Sequence, residues 1–185
     1  MSHSLIRRRR GNEGFTLVEL MIVVTIIGVL AALAIYGVGR YLKHSKTAEA
    51  ERALGVIATG SQQQYQRETD NGAGSVVHRF CPSATPTPAA VPAGLKVTVV
   101  TPAGGAIFYN QAGWKCLEFT MTGGQFYNYD YTWNGADGVG ATYTSVARGD
   151  LDGNGQQSSF TLAGKVDLGT GEATHGAIAI VNEDE

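Results

Sequence analysis

From Leu20 to Gly39 the chain carries no charged side chain. Twenty helical residues rise about 30 Å, the thickness of a hydrocarbon core, so this stretch predicts one membrane-crossing helix. The pattern then changes without a clear break. Ala50, Leu54, Ile57, Ser61 and Tyr65 recur at spacings of three and four, which places small and apolar groups along one helical face. Glu49, Glu51, Arg52, Gln63, Gln66 and Arg67 fall largely on the other face, where they are expected to stay wet. Asp70-Asn71-Gly72 reads as the stop, because Asn and Gly tolerate the left-handed conformation that ends helices. A helix from Phe15 to about Thr69 follows, a membrane span in its first half and an amphipathic spine in its second.

Beyond the spine the punctuation changes. All five prolines lie between Pro82 and Pro102, and eighteen of the twenty-five glycines lie from Gly72 onward, so short strands and loops should replace long helices there. Leu95–Val100, Trp114–Met121, Phe126–Trp133, Ala141–Ala147, Phe160–Val166 and Ala177–Val181 are rich in β-branched and aromatic residues and read as strands. In one of them Tyr127, Tyr129, Tyr131 and Trp133 alternate with Asn128, Asp130 and Thr132, the mark of a half-buried antiparallel strand. The economical architecture is α+β, a long N-terminal helix packed on a C-terminal antiparallel sheet. Four segments result: 1–14, 15–39, 40–70 and 71–185.

Charge adds an orientation. Arg7, Arg8, Arg9 and Arg10 precede the apolar run and belong on the cytoplasmic side, which sends the bulk of the chain outward even though Arg40, Lys43 and Lys46 weaken the asymmetry. The net charge of -2 divides into +3 up to Gly14 and -5 after it, without the basic stripe of a general nucleic-acid binder. Cys81 and Cys116 both fall in the outward part, where oxidising conditions favour a bridge, which would contribute about 3.8 kcal/mol by loop closure. Two separate buried thiols are the alternative; a C-x-x-C spacing is absent.

The junction into the apolar run reads Gly14-Phe15-Thr16-Leu17-Val18-Glu19-Leu20-Met21. Together with the basic leader and the length of the span, it resembles the cleavage and methylation motif of type IV prepilins and type II secretion pseudopilins. The resemblance covers roughly residues 7–60. It implies that a prepilin peptidase of the inner membrane removes residues 1–14 by cutting after Gly14, then methylates the amino group of Phe15. It further implies a pilin-like fold, assembly with identical subunits on an inner-membrane platform, and a final place in an extracellular pilus or periplasmic pseudopilus. A major or major-like pilin is the leading expectation; a pseudopilin or an adhesive minor pilin is the alternative. An ordinary secretory signal would be cut after its apolar core, and Ala31-Ala32-Leu33-Ala34 could imitate such a site, but that would leave the Gly14-Phe15 junction unexplained.

Glu19 is costly inside a membrane, about 2.5–3.5 kcal/mol at the centre on insertion scales. Either it snorkels to the headgroups from less than two turns inside the helix, or, as the resemblance implies, it pairs with the Phe15 ammonium of a neighbouring subunit and sets the register of assembly. Many family members have proline where this chain has Tyr36, so a kink there does not carry over; Gly28, Gly37 and Gly39 either loosen the same region or serve close packing in lipid. Asp150, Asp152 and Asn154 begin like a calcium loop, but Thr161 stands where an EF-hand has its bidentate Glu, and an Asx-rich turn fits the same residues. No other cofactor is implied. Nor is an enzyme: H-E-x-x-H, a complete P-loop and G-x-S-x-G are missing, and His3, His44, His78 and His175 form no ligand spacing.

Overall fold

The computed structural model of the chain describes residues 14–98 and 108–183; the leader residues 1–13 and the end of the expected strand at Val99–Val100 lie outside them. The described residues divide into two units after Arg40. Helix α1 occupies Leu17–Gln66 and runs unbroken past Gly28, Tyr36, Gly37 and Gly39. Its part up to Arg40 is about 36 Å long, and along it Leu20, Ile26, Leu30 and Leu33 are all more than half exposed.

The helix stops earlier than expected. Arg67 N–H turns back to Gln64 O at 3.0 Å, and strand β1 (Thr69–Asp70) pairs antiparallel with β2 (Val76–Val77). Asp70-Asn71-Gly72 is therefore the turn of a small hairpin and not the helix cap: Asp70 Oδ1 accepts the Gly72 N–H at 2.8 Å, and Gly72 takes φ +78°.

In the second unit the remaining strands are β3 (Ala84–Thr87), β4 (Val97–Thr98), β5 (Gly124–Gln125), β6 (Asn128–Trp133), β7 (Thr142–Gly149), β8 (Ser158–Val166), β9 (Ala173–His175) and β10 (Ala179–Val181). The main sheet is antiparallel in the order β10-β8-β7-β6-β3, with β9 and β10 sharing the outer edge of β8, while β4 and β5 form a separate pair. Tyr129, Ala147 and Phe160 lie side by side across β6, β7 and β8, as do Tyr131, Ser145 and Leu162, and all six are buried. This is the face that meets α1. Ala50, Leu54, Ile57 and Ser61 are fully buried, Ser61 Oγ donates to Tyr131 Oη at 3.1 Å, and Tyr65 rests on Phe80 with ring centroids 5.2 Å apart. Each buried Leu or Ile contributes about 1.5–3 kcal/mol.

Two further expectations are corrected, and one strand was not expected. Trp114–Met121 is not a strand: Ala112–Cys116 form a short helix, α2, with Trp114 and Leu117 buried on one side of it at a spacing of three. Ala84–Thr87 is a strand in spite of Pro86, tolerated because β3 is an edge; the side chains of Gln111 and Trp114 take up the Thr85 N–H and C=O. Glu49 is not wet. It flanks the buried face, and its Oε1 accepts the Phe126 N–H at 2.8 Å and the Tyr129 hydroxyl at 3.4 Å, two donors the sheet leaves over.

Gly164 sits beside Tyr143, and a Cβ there would collide with the tyrosine ring. Gly164→Ala is expected to lower stability by about 1–3 kcal/mol in denaturant unfolding; an unchanged midpoint would contradict this packing. Burial also pushes the Tyr127 and Tyr143 hydroxyls up to about 12, from 10.0 in the unfolded chain, and raises Tyr109, Tyr129 and Tyr131 further. Between these values the folded state holds protons that the unfolded state has released. Stability should thus be complete below about pH 10 and fall above it, by about 1.4 kcal/mol per pH unit for each such tyrosine. Unfolding titrations with tyrosinate absorbance as the readout check this, and a flat profile from pH 10 to 12 would contradict it.

Candidate processing and assembly site

Gly14, Phe15 and Thr16 precede the first helical residue, Leu17, and none of them is covered by another part of the described chain. Phe15 is 83% exposed, and nothing lies within 4 Å of the place where a Cβ on Gly14 would sit. The Gly14–Phe15 peptide bond is thus an open, non-helical segment at the foot of an apolar helix. Thr16 starts that helix. Its carbonyl accepts the Leu20 N–H at 3.2 Å and its Oγ1 accepts the Glu19 N–H at 3.2 Å. This is the geometry of an N-cap residue bonded to the third helical residue. Thr25 Oγ1 likewise donates to Met21 O at 2.7 Å, so the hydroxyls along this part of the helix are satisfied locally.

Glu19 is exposed and lies in the first turn, where a carboxylate is favoured by the positive end of the helix dipole. None of the ion pairs among the described residues involves it. The structure brings Gly14, Phe15 and Glu19 together at one helix end, with Thr16 among them. Thr16 was not singled out by sequence, although Thr16-Leu17-Val18-Glu19 has the S/T-x-x-E form of a capping box.

The other candidate residues lie in the second unit. Cys81 and Cys116 are joined as a disulfide, Cα atoms 5.7 Å apart, which ties α2 to the segment entering β3. Asp150, 5% exposed, follows β7 directly; its Oδ1 accepts the Gly153 N–H at 2.7 Å and the Asn154 N–H at 3.2 Å, and its Oδ2 the Gly155 N–H at 2.9 Å. Asp152 accepts from Asn154 N–H and from Lys43 Nζ, and Asn154 Oδ1 accepts from Gln156 N–H. Desolvation raises the Asp152 carboxyl, but those N–H donors and the Lys43 ammonium outweigh it and hold it below the usual carboxylate range. Asp167 closes its own turn in the same way, accepting from the Gly169 and Thr170 N–H groups. The oxygens of the Asp150 turn accept backbone N–H groups, which is an Asx-turn arrangement. Among the described residues no three His, Cys, Asp or Glu side chains converge as metal ligands.

Adding calcium or a chelator is expected to leave the unfolding midpoint unchanged, whereas Asp150→Ala should cost about 1.5–3 kcal/mol. A calcium-dependent rise in the midpoint would contradict the turn reading. Peptide mapping without reductant is expected to recover Cys81 and Cys116 linked; both as free thiols would contradict the bridge.

Residues 9–35 match the family described as the prokaryotic N-terminal methylation motif. The chain is similar to the type IV major pilin protein PilA of Myxococcus xanthus, 48% identical over 59 residues, covering 32% of this chain and 26% of that protein. It is also similar to fimbrial protein Q of Moraxella bovis, 48% identical over 48 residues, covering 26% of this chain and 29% of that protein. Against the type IV major fimbrial protein FimA of Dichelobacter nodosus the identity is 60% over 37 residues, covering 20% and 23%. The chain therefore spans about a quarter of the length of the relatives it matches. No solved structure matches it.

Proposed function

We propose, from the premise that the N-terminal segment is of the type IV pilin family, that this chain is a precursor cut between Gly14 and Phe15 and assembled as a major pilin. The observation that carries this is the join itself: an open Gly14–Phe15 bond leads directly into a helix whose residues up to Gly39 carry one charge, Glu19, in the first turn. Hydrolysis at that bond leaves the apolar helix on the mature chain, which stays in the membrane until it enters a filament. Water attacks the Gly14 carbonyl and frees the Phe15 amine, which then takes a methyl group from a sulfonium-type donor held by the enzyme and loses a proton. An amine at the helix start then lies four residues before Glu19, and in a filament the same two groups on neighbouring subunits can pair across a low-dielectric contact, where a charge-assisted bond is strong.

Pairing would offset the desolvation of both charges, which neither could sustain alone. The partners in this reading are identical subunits, the prepilin peptidase and methyltransferase, and the inner-membrane assembly platform. The relatives it resembles are major pilins and fimbrial proteins, which favours a pilus over a secretion pseudopilus. The second unit has its own core and disulfide, so it is expected to fold the same way whether or not Glu19 is present.

N-terminal analysis of the mature protein is expected to return N-methyl-Phe15, and Gly14→Val to block processing by crowding the peptidase. A retained Met1 or a new terminus near Ala34 would overturn the reading. Glu19→Ala is expected to give a processed, membrane-resident chain with its disulfide formed that enters filaments poorly, read as the ratio of sheared-filament to membrane protein. A wild-type ratio would show that Glu19 only snorkels.

A further inference from the structure

We infer that Thr16 is a positioning residue for Glu19, holding its carboxylate at a fixed height above the new N-terminus so that it can take part in assembly. The inference rests on the proposed role of Glu19 and adds the residue that makes the role geometrically possible. The observation behind it is the bond from the Glu19 N–H to Thr16 Oγ1, together with the first helical bond from the Leu20 N–H to the Thr16 carbonyl.

A helix leaves its first four N–H groups without internal partners. In water these are hydrated, but beside a hydrocarbon core each unpaired N–H costs free energy, so a first turn without a cap tends to unwind. Thr16 Oγ1 satisfies one of the four, the one belonging to Glu19. Fixing that amide fixes the backbone of Glu19 at the third helical position, one short turn from Phe15. Were the first turn to unwind instead, the carboxylate would lose both its height and its direction relative to the Phe15 amine. The helix would still span the membrane, because the apolar run from Leu20 to Gly39 does not depend on the cap.

Cleavage makes this cap more important. The freed, positively charged amine lies one residue before Thr16, at the end of the helix whose dipole is already positive, and the two repel. Glu19 opposes that repulsion only while it remains in the first turn. Thr16 keeps it there by a neutral hydrogen bond to its backbone, which leaves both carboxylate oxygens available to a neighbour. Hydroxyl acceptors at this position should therefore be interchangeable, and a side chain of the same shape without one should fail. Thr16→Ser and Thr16→Val separate these two cases.

The test compares full-length wild type, Thr16→Ser, Thr16→Val and Glu19→Ala. One readout is the ratio of sheared-filament protein to processed membrane protein, which removes any effect on cleavage. The other is amide exchange at Glu19 in the detergent-solubilised precursor, the form in which the bond is observed, so Thr16→Val remains informative even if the peptidase rejects it. Thr16→Ser is expected to stay within about twofold of wild type in both. Thr16→Val should exchange about fivefold faster at Glu19 and lose about fivefold or more in filament ratio. Wild-type exchange in Thr16→Val, a wild-type filament ratio despite faster exchange, or a Thr16→Ser as poor as Thr16→Val would each overturn the inference. If Glu19→Ala itself assembles normally, the proposed role of Glu19 has failed, and exchange at Glu19 still reports separately whether the cap exists.

Discussion

Glu19 is the third residue of a helix whose next twenty residues carry no charge, and an unpaired carboxylate at membrane depth is costly there by a few kcal/mol. That constraint shapes the first unit. Glu19 lies near the helix start, where the dipole favours a carboxylate. Beyond it Leu20, Ile26, Leu30 and Leu33 are more than half exposed, and an apolar environment would favour them. A helix of this kind suits a protein that exchanges one apolar environment for another.

The second unit solves a different problem with the same helix. From Tyr41 onward the helix is no longer uniformly apolar; Ala50, Leu54, Ile57 and Ser61 form a narrow stripe just wide enough to lie on the tyrosine-rich face of the sheet. Large rings on β6 and β7 are matched by absences elsewhere. Gly164 makes room for Tyr143, Gly149 for Tyr127, and Gly60 brings α1 against the Leu117 carbonyl. Some of the polar groups trapped by this packing find partners from distant parts of the chain: Glu49 accepts from Phe126 and Tyr129, and Gln125 bridges Tyr109 to the carbonyls of Thr87 and Tyr127. Nothing in this core calls on Glu19. On the proposed reading, folding and assembly can therefore be lost separately by mutation.

The stripe on α1 and the alternating tyrosines were legible because each has one period and one buried face, and the structure places Ala50, Leu54, Ile57, Ser61 and Tyr65 all inward. The segment at Trp114 was not legible as a helix. Its aromatic content favours a strand, but the Trp114 indole N–H is held by Thr85 O and Thr87 Oγ1 of β3, contacts that the segment's own pattern does not contain. The strand at Ala84–Thr87 was hidden by Pro86, whose missing N–H matters only if the strand is internal, and sheet order is not written in a short segment. Glu49 looked like a solvent-facing charge because its acceptors' partners are distant in sequence. At the helix start the larger motif from Gly14 to Glu19 was readable in full, yet the role of Thr16 within it appears only when the helix is seen to begin at Leu17.

The central claim is that Glu19 exchanges a place in the membrane for a charged partner on another subunit. Its most direct test is a high-resolution map of sheared filaments showing where the Phe15 amine of each subunit lies. The account predicts that amine within hydrogen-bonding distance of the Glu19 carboxylate of an adjacent subunit, inside the apolar bundle. A Glu19 side chain reaching away from every Phe15 amine, or facing solvent, would contradict it.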